Sequence, residues 1–479
     1  MRLPLIPLSM AIAVFVAGCA STHGLAPASQ PRDADTTLAT RQSFGATSDA
    51  RFPQQDWWAA YGDPQLNALI EEALAGTPSL AAADARVRQA IAQAGLADAA
   101  RKPTLGASAQ YLGLLVPKTI APGDFGGEYQ GVMLLGLDFK WSIDLWGAHA
   151  AEWRGALDQA RAAEVDAQAA RLVLASNIAR TYIALALAHD AADTAEAEAA
   201  RAANLASLSE QRVKAGLDNQ LQLRNAEANV AGAKQQAQAA QQQADLARNA
   251  LAALLGKGPD RGRAITKPAL LQAPAPGVPD VLPSELLGHR PDVVAARWRV
   301  EAAGERIHVA KAAFYPTVNL NAMAGLASGH LSDLFSSDAA LVNGGPALSL
   351  PIFDGGRLRN NLAKTDAEFD LAVADYDQAL VGAVREVADA VQSARALETQ
   401  LATLDQARDA AQSAYSLATA RYKAGLGTQL DVLAAQRPLL QFEQQIDALR
   451  AQRLQATIDL QRALGGGLAI AHPVELSSN

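Results

Sequence analysis

RYKAGLGTQLDVL, residues 421–433, is a second copy of RVKAGLDNQLQLR, residues 212–224. Each identical pair lies 209 residues apart: Arg212/Arg421, Lys214/Lys423, Ala215/Ala424, Gly216/Gly425, Leu217/Leu426, Gln220/Gln429 and Leu221/Leu430. A glycine stands in the middle of each copy, and glycine most readily adopts the left-handed conformation that closes a helix. The pair therefore predicts one helix-ending turn built twice in the same chain.

The repetition extends well beyond these turns. Downstream, residues 255–256 recur as residues 464–465 at the same separation of 209, whereas upstream Pro78 recurs as Pro291 at a separation of 213. A four-residue length change in a loop between strands accounts for the difference. Each unit of roughly 210 residues is far longer than a solenoid repeat of 20–50 residues. The sequence therefore predicts an internal tandem duplication.

Composition and motifs exclude several classes of function. The 479-residue chain carries a net charge of −8, which gives no electrostatic basis for binding nucleic acid. It contains no Walker loop, HExxH helix or GxSxG elbow, so no catalytic motif indicates an enzyme. The 7 histidines are scattered without ligand spacing, and we predict no metal site.

Two long tracts are almost free of proline and predict long helices. No proline lies between Gly123 and Gly258, and the tract is rich in the helix formers Ala, Leu, Gln, Glu and Arg. Apolar residues recur there at helical spacings, and the pattern predicts a helix over residues 148–214, about 100 Å long at 1.5 Å per residue. The turns at Gly216 and Gly425 then become the tips of two helical hairpins.

Alternating stretches predict strands in both halves. Odd positions are apolar in 104–115 and 133–143, and even positions are apolar in 318–324 and 348–352, as an odd separation between the halves requires. The pattern fits transmembrane barrel strands or a soluble sheet that packs on helices. In a membrane, four strands cannot close a barrel and open edges are not tolerated, so the chain must oligomerise. Two or three copies both satisfy this argument.

The N-terminus MRLPLIPLSMAIAVFVAGCAS has the features of a lipoprotein signal peptide. Its apolar run is too short to span a bilayer, and small residues precede Cys19, the single cysteine of the chain. VAGC resembles a bacterial lipobox, which is cleaved before a lipid-modified cysteine, and Ala20 after it favours the outer membrane. A stable anchor requires more than one acyl chain on Cys19. We therefore expect a signal peptide at 1–18.

Three motifs resemble those of TolC-like outer-membrane efflux proteins. They are VLPSELLGHRPDVVAARWRVEAAGERIHVAKAAFYPTV at 281–318, LSLPIFDGGRLR at 348–359 and the two glycine-centred turns. Together with VAGC they resemble the lipoprotein branch that serves resistance-nodulation-division (RND) pumps. The resemblance implies a mainly α-helical homotrimer with a small transmembrane β-barrel. Each chain would contribute four strands to a twelve-stranded barrel, which a long periplasmic α-helical barrel continues.

The resemblance also implies the function and the division of the chain. The protein would be no enzyme but the outer-membrane exit duct of a tripartite efflux pump, with a periplasmic adaptor and an inner-membrane RND-type transporter. The protein would also contact the lipid of the outer membrane, and it would bind no nucleic acid. It would need no cofactor and would carry a covalent lipid on Cys19. The expected segments are a signal peptide 1–18, a lipid-anchored extended segment 19–56, efflux repeat 1 at 57–265, a Pro-rich linker 266–283, efflux repeat 2 at 284–467 and a tail 468–479.

By the same resemblance, the hairpin tips contact the adaptor and constrict the pore. The expected adaptor contacts are Arg212, Lys214, Gly216, Leu217, Arg421, Lys423, Gly425 and Leu426. Alternatively, the basic residues only stabilise helix C-termini, which contributes a few tenths of a kcal/mol each. Asp431 matches a pore-constricting aspartate of the family, although a second family carboxylate is replaced by Ala434. A ring of Asp431 carboxylates would select cations as a pore gate; the alternative is a solvated aspartate.

Two other functions remain open at this stage. The duct could serve a protein-secretion system, because its own architecture would be much the same. The chain could also be a periplasmic coiled-coil scaffold lipoprotein that conducts nothing, although alternating strands in both halves argue against it. The exported compound is open as well, since the transporter selects what passes through a wide duct.

Overall fold

The computed structural model describes residues 22, 24–32, 54–115, 117, 119, 129–269 and 289–467. The expected signal peptide, Cys19 and the tail at 468–479 lie outside these residues. The helices are α1 Pro64–Gly76, α2 Pro78–Ala99, α3 Ala148–Lys214, α4 Gln220–Leu254, α5 Pro259–Arg263, α6 Pro291–Ala312, α7 Arg357–Lys423 and α8 Gln429–Ala463. The strands are β1 Thr104–Leu115, β2 Tyr129–Ile143, β3 Thr317–Ser328 and β4 Ala340–Ser349.

The lengths of these elements confirm the duplication. Helices α3 and α7 both have 67 residues, α4 and α8 both have 35, and α2 and α6 both have 22. Strands β1 and β3 begin 213 residues apart and helices α3 and α7 begin 209 apart, from the bounds 104/317 and 148/357. The length change therefore falls between β1 and α3 of the first repeat, as the sequence predicted. Helix α3 has the predicted bounds.

The four strands form one antiparallel sheet in the order β1-β2-β3-β4. Thr104 pairs with Lys140, Met133 with Ser328, and Thr317 with Ser349. Each strand thus pairs with its neighbour in sequence, and no other described strand pairs with the outer edges of β1 and β4. Such edges expose a row of backbone N–H and C=O groups that another chain can pair with.

The register confirms the predicted alternation in β1, β2 and β3 and its change of parity. The alternation predicted over 348–352 was wrong beyond residue 349, because β4 ends at Ser349, before Pro351, which has no N–H for a ladder bond. Directly opposed residues share a face of a sheet, and on one face the opposed residues are apolar. This apolar face contains Leu105/Phe139, Ala107/Leu137, Ala109/Leu135, Trp141/Leu320 and Val318/Leu348. The other face is more polar and contains Thr104/Lys140, Gly106/Asp138, Lys140/Asn321 and Ser142/Asn319. Odd positions in the first half therefore lie beside even positions in the second.

The described chain forms two compact units. One comprises residues up to 31, 86–163 and 296–377, and contains the sheet; the other comprises 32–85, 164–295 and 378–479. The second unit has the larger apolar core, in which Trp57 and Trp58 pack edge to face. α3 alone among the described helices has a window apolar enough to cross a membrane, and 56% of that window is buried, as expected of a core helix.

Arg290 joins the start of the second repeat to the end of the chain's last helix. The residue is only 6% exposed. It donates to Asp292 Oδ2 at 2.6 Å, to Glu386 Oε2 at 3.0 Å and to the carbonyl oxygen of Ala463 at 3.3 Å. Next to it, a Cβ on Gly465 would lie 2.2 Å from the carbonyl oxygen of His289. The RPD sequence therefore has a structural role at a helix junction.

Candidate functional site at the two hairpin tips

Each tip begins with a helix that ends in a glycine-closed turn. In the first, Gly216 has φ +71°, its N–H donates to the Val213 carbonyl at 3.0 Å, and the Leu217 N–H donates to the Arg212 carbonyl at 2.9 Å. In the second, Gly425 has φ +73° and the Leu426 N–H donates to the Arg421 carbonyl at 2.9 Å. This is the Schellman pattern, and it confirms that each repeated stretch is the tip of a helical hairpin.

The returning helix of each hairpin starts with a capping box. Asn219 Oδ1 accepts from the Gln222 N–H at 3.1 Å, and Gln222 Oε1 accepts from the Asn219 N–H at 2.9 Å. In the second repeat Thr428 is the cap and Asp431 takes the place of Gln222. Asp431 Oδ2 accepts from the Thr428 N–H at 2.7 Å and from its hydroxyl at 2.9 Å. Asp431 therefore has a structural role that an uncharged residue performs in the other repeat.

The environment of Asp431 keeps it ionised. Hydrogen bonds from the Thr428 backbone N–H, and then from the Thr428 hydroxyl, hold the pKa of the Asp431 carboxyl below its usual range. Arg421 lowers this pKa further by charge attraction. The carboxylate is fully exposed and only Oδ2 takes part in the cap. Its charge therefore remains available at the surface of the tip.

A buried contact links the two tips. The Tyr422 hydroxyl donates to Asp218 Oδ2 at 2.9 Å, and the Arg212 Nε donates to the same oxygen at 2.9 Å. The Arg212 guanidinium also lies over the Tyr422 ring, 4.6 Å from its centroid. Tyr422 is 1% exposed, and burial raises its pKa to about 12, so it stays protonated as a donor. Arg212 is thus engaged within the chain, whereas the sequence assigned it to the adaptor.

The other expected contact residues lie at the surface of the tips. Leu217 is 65% exposed and Leu426 is 72% exposed, and Lys214 pairs only with the exposed Glu210, at 2.7 Å. Arg421 donates to the Leu426 carbonyl at 3.4 Å. Each returning helix adds a second exposed leucine that was not among the predicted contacts, Leu221 at 68% and Leu430 at 73% exposure. Each tip therefore presents two exposed leucines.

Comparison of the two repeats could have revealed the residues that were overlooked. Leu221 and Leu430 are among the identical positions, so the repetition that identified Leu217 and Leu426 also covers them. Asp218 and Tyr422 are among the differing positions, because Asp218 corresponds to Gly427 and Tyr422 corresponds to Val213. A pair that forms only between unlike repeats cannot be recognised without the geometry.

Replacing Tyr422 with phenylalanine should loosen the contact between the tips. The ring and its stacking on Arg212 would remain, but Asp218 would lose one hydrogen bond, for a cost of about 1 kcal/mol. If the tips constrict the pore, as the resemblance implies, we expect a larger single-channel conductance in planar bilayers, because the two hairpins are then free to separate at this point. Tyr415→Phe, earlier on α7, is the matched control. Equal conductance of both variants and the wild type would contradict the prediction.

An antiparallel sheet with one exposed apolar face, in a chain that also forms two long helical hairpins, is the architecture of an outer-membrane channel subunit. The sequence profile of the outer membrane efflux protein family matches residues 69–257 and 282–466. The chain therefore belongs to this family and has the fold of its trimeric TolC-like channels. It is an efflux channel of the outer membrane.

Individual relatives agree with this assignment. The fusaric acid resistance protein FusA of Burkholderia cepacia is 39% identical over 367 residues, covering 75% of this chain and 68% of that protein. The multidrug resistance outer membrane protein MdtP of Escherichia coli K12 is 32% identical over 444 residues, 88% of each chain. The crystal structure of the outer membrane protein VceC from Vibrio cholerae has a TM-score of 0.81 at 36% identity, covering 87% of this chain and 100% of that one.

Proposed function

We propose that three copies of this chain form the exit duct of a tripartite pump that removes small toxic organic compounds. The observation that carries the proposal is the sheet: its apolar face is exposed, with Leu105 71% and Leu348 72% exposed, and both edges are unpaired. Lipid would cover the apolar face, and β1 of one chain would pair with β4 of the next. Three chains of four strands then close a barrel, as a lipid environment requires.

The tips are the proposed binding surface for a periplasmic adaptor, which connects the duct to an RND-type transporter. Their four exposed leucines offer apolar area at a surface that is otherwise polar. Leu430 also lines a groove of about 790 Å³ together with Leu433, Leu440 and the small residues Ala226 and Gly232. An adaptor helix with apolar residues could fill such a groove. Lys214, Arg421 and Lys423 add positive charge around the leucines and favour an acidic partner surface.

Asp431 is the proposed pore gate. In a trimer, three Asp431 carboxylates would form one ring, because the corresponding residue of the first repeat is the uncharged Gln222. A ring of carboxylates in a narrow pore attracts cations. Position 434 is alanine, so no second ring of carboxylates would lie beside the Asp431 ring.

Asp431→Gln should reduce the preference for cations in planar bilayers while leaving the trimer stable. Gln222 shows that glutamine supports the same cap, so this change removes charge without removing the capping box. Within one chain the Thr428 hydrogen bonds lower the pKa of Asp431, whereas the two neighbouring carboxylates of the ring raise it, so the wild-type preference should be present at neutral pH. It should disappear as acid protonates the ring of carboxylates. Unchanged reversal potentials in the variant would refute the gate.

We further propose that Cys19 carries lipid after removal of residues 1–18. The short apolar run and the VAGC sequence support this, although Cys19 lies outside the described residues. Palmitate labelling of the wild type should be lost in Cys19→Ala. Labelling that survives this substitution would remove the claim.

A deletion strain provides the test of the duct function. We expect sensitisation to antibiotics, dyes, bile salts, aromatic organic acids or metal salts, and restoration of resistance by the intact gene. The relatives are named for fusaric acid and for multidrug resistance, which supports small organic compounds as the class. Unchanged susceptibility together with proteins missing from the culture medium would instead support a protein-secretion duct. Purified chain that forms no conducting trimer would support the scaffold alternative.

A further inference from the structure

The face of the sheet opposite the apolar one changes character along the strands. Its half next to the helices carries polar side chains: Thr104, Ser108, Asp138, Lys140, Ser142, Thr317, Asn319 and Asn321. In the other half, beyond Gln110, Leu112 directly opposes Val132, and Leu134 opposes Ala327. Among the described side chains of this half, the large apolar ones form what we call the exit belt: Leu112, Leu114, Val132, Leu134 and Leu341.

Aromatic side chains identify the face that meets lipid. Tyr111 and Tyr129 lie on the apolar face at the end of the sheet away from the helices, and Trp141 lies on the same face at the helical end. The strand from Tyr129 to Trp141 is about 40 Å long, which spans about 28 Å of a bilayer at a tilt of about 45°. Membrane barrels have an outward apolar band about 25 Å tall between two girdles of aromatic residues. Because successive side chains point to opposite faces, the exit belt faces the lumen.

The exit belt departs from the usual character of a barrel interior, which is polar. Leu112 is 56% exposed and Leu114 is 59% exposed, so the described part of the chain leaves most of their surface uncovered. Covering apolar surface that faces water lowers the free energy. Compounds that leave through the channel pass this wall, and their apolar parts cover it during the passage.

The two halves of the lumen face differ in what they bind. Asp138 and Lys140 bring both signs of charge to the polar half, where the Ser108 hydroxyl donates to Asp138 Oδ2 at 2.8 Å. The leucines and the valine of the exit belt have neither charge nor hydrogen-bonding groups. A hydrated metal ion gains nothing there, because these side chains offer no oxygen to replace its hydration shell. An organic compound with an apolar part gains contact with the belt.

We propose that the exit belt is a contact site for the apolar parts of exported organic compounds, near the outer end of the duct. In the trimer, three copies of these five side chains line one level of the lumen. The belt thereby favours apolar and amphipathic cargo over hydrated metal ions. This preference rests on the proposed export of small organic compounds, whereas the position of the belt in the lumen does not.

Labelling of introduced cysteines tests the position of the belt. In purified trimers reconstituted into phospholipid vesicles, Leu112→Cys should react with a positively charged methanethiosulfonate, because it faces water in the lumen. Leu137→Cys, at a position 52% exposed in the chain but on the apolar face, should react at least about tenfold more slowly, because lipid excludes a charged reagent. The mass of the labelled peptide separates both sites from Cys19. Equal rates, or faster labelling of Leu137→Cys, would overturn the position.

Protection from the same reagent tests the binding. Butyltrimethylammonium and octyltrimethylammonium have the same charged head and differ only in the apolar tail. The octyl compound should slow the labelling of Leu114→Cys at a lower concentration than the butyl compound, by up to about fourfold for each CH2 group that the belt covers. Ser142→Cys, in the polar half of the same face, should be protected equally by both. If Leu114→Cys is also protected equally by both, the belt binds no apolar tail and the site is refuted.

Two matched double variants, each combined with Leu114→Cys, test the belt itself. Leu112→Thr with Val132→Thr replaces two directly opposed residues of the belt, and Leu348→Thr with Val318→Thr replaces an equivalent opposed pair on the apolar face. Threonine favours strands, so both trimers should assemble, which native gels verify. Only the belt variant should lose the additional protection by the octyl tail; loss in both variants or in neither contradicts the proposal.

Susceptibility of the deletion strain distinguishes this proposal from the export function. Tail-dependent protection in a channel that restores no resistance would refute the proposed cargo and not the belt. Restored resistance without tail-dependent protection would refute the belt and not the export.

Discussion

Arg290→Ala should prevent most of the protein molecules from assembling into a stable trimer. The substitution deletes a buried guanidinium and leaves Asp292, Glu386 and the Ala463 carbonyl without their shared donor. Breaking a buried ion pair costs about 3–5 kcal/mol, and we expect the lower end because side-chain exposures of 48% for Asp292 and 33% for Glu386 let water reach both acids. Each of the three subunits loses these interactions, so the trimer is destabilised by more than a single chain is.

Thermal unfolding and the fraction of trimer on native gels measure this effect. Arg297→Ala is the control on the same helix, because Arg297 is 74% exposed and pairs only with Glu301, one turn away. Exposed pairs of this kind contribute at most a few tenths of a kcal/mol. Arg290→Lys should be intermediate, since it keeps the charge but loses the planar fork that reaches two acids. Trimers of Arg290→Ala that melt like those of Arg297→Ala would contradict the role assigned to Arg290.

Periodicity was sufficient to predict the secondary structure and the duplication. Helix α3 has its predicted bounds of 148–214, and β1, β2 and β3 have the predicted faces, because both depend on patterns that repeat over many residues. The shorter stretch at 348–352 was a weaker signal, and β4 lies mostly before it, at Ala340–Ser349. The odd separation between the halves also predicted which positions of β1 and β3 share a face. Such predictions hold when one periodic signal is sampled many times.

Single contacts at the tips could not be predicted in the same way. The position of Arg212 at the end of a helix suggested a surface charge, yet it lies over Tyr422 and binds Asp218. The three residues come from two turns that are about 209 residues apart, and no pattern within either turn contains the pairing. Asp370 similarly accepts from the Ser29 N–H, 341 residues away in the sequence. Long-range pairs of this kind require the folded chain.

The tip at Gly425 offers a test in which strain and bulk can be separated. Gly425 has φ +73°, and no heavy atom lies within 4 Å of the position that a Cβ would occupy. Any larger residue there adopts a left-handed conformation, which costs roughly 1–2 kcal/mol, but it does not collide with the protein. Gly425→Ala therefore introduces the strain alone, whereas Gly425→Trp adds an indole at the surface beside Leu426 and Leu430.

Gly425→Trp should abolish efflux and leave expression and trimer formation intact. The indole would project from the tip where we expect the adaptor to dock, and a bound adaptor helix cannot approach a surface that carries such bulk. Resistance should fall to the level of the deletion strain, whereas Gly425→Ala should retain it, because strain of this size is tolerated by a folded trimer. Susceptibility assays measure the resistance of each strain, and crosslinking measures the binding of each variant to the adaptor. A Gly425→Trp strain with normal resistance would show that the adaptor binds elsewhere, and loss in both variants would implicate the turn conformation rather than its surface.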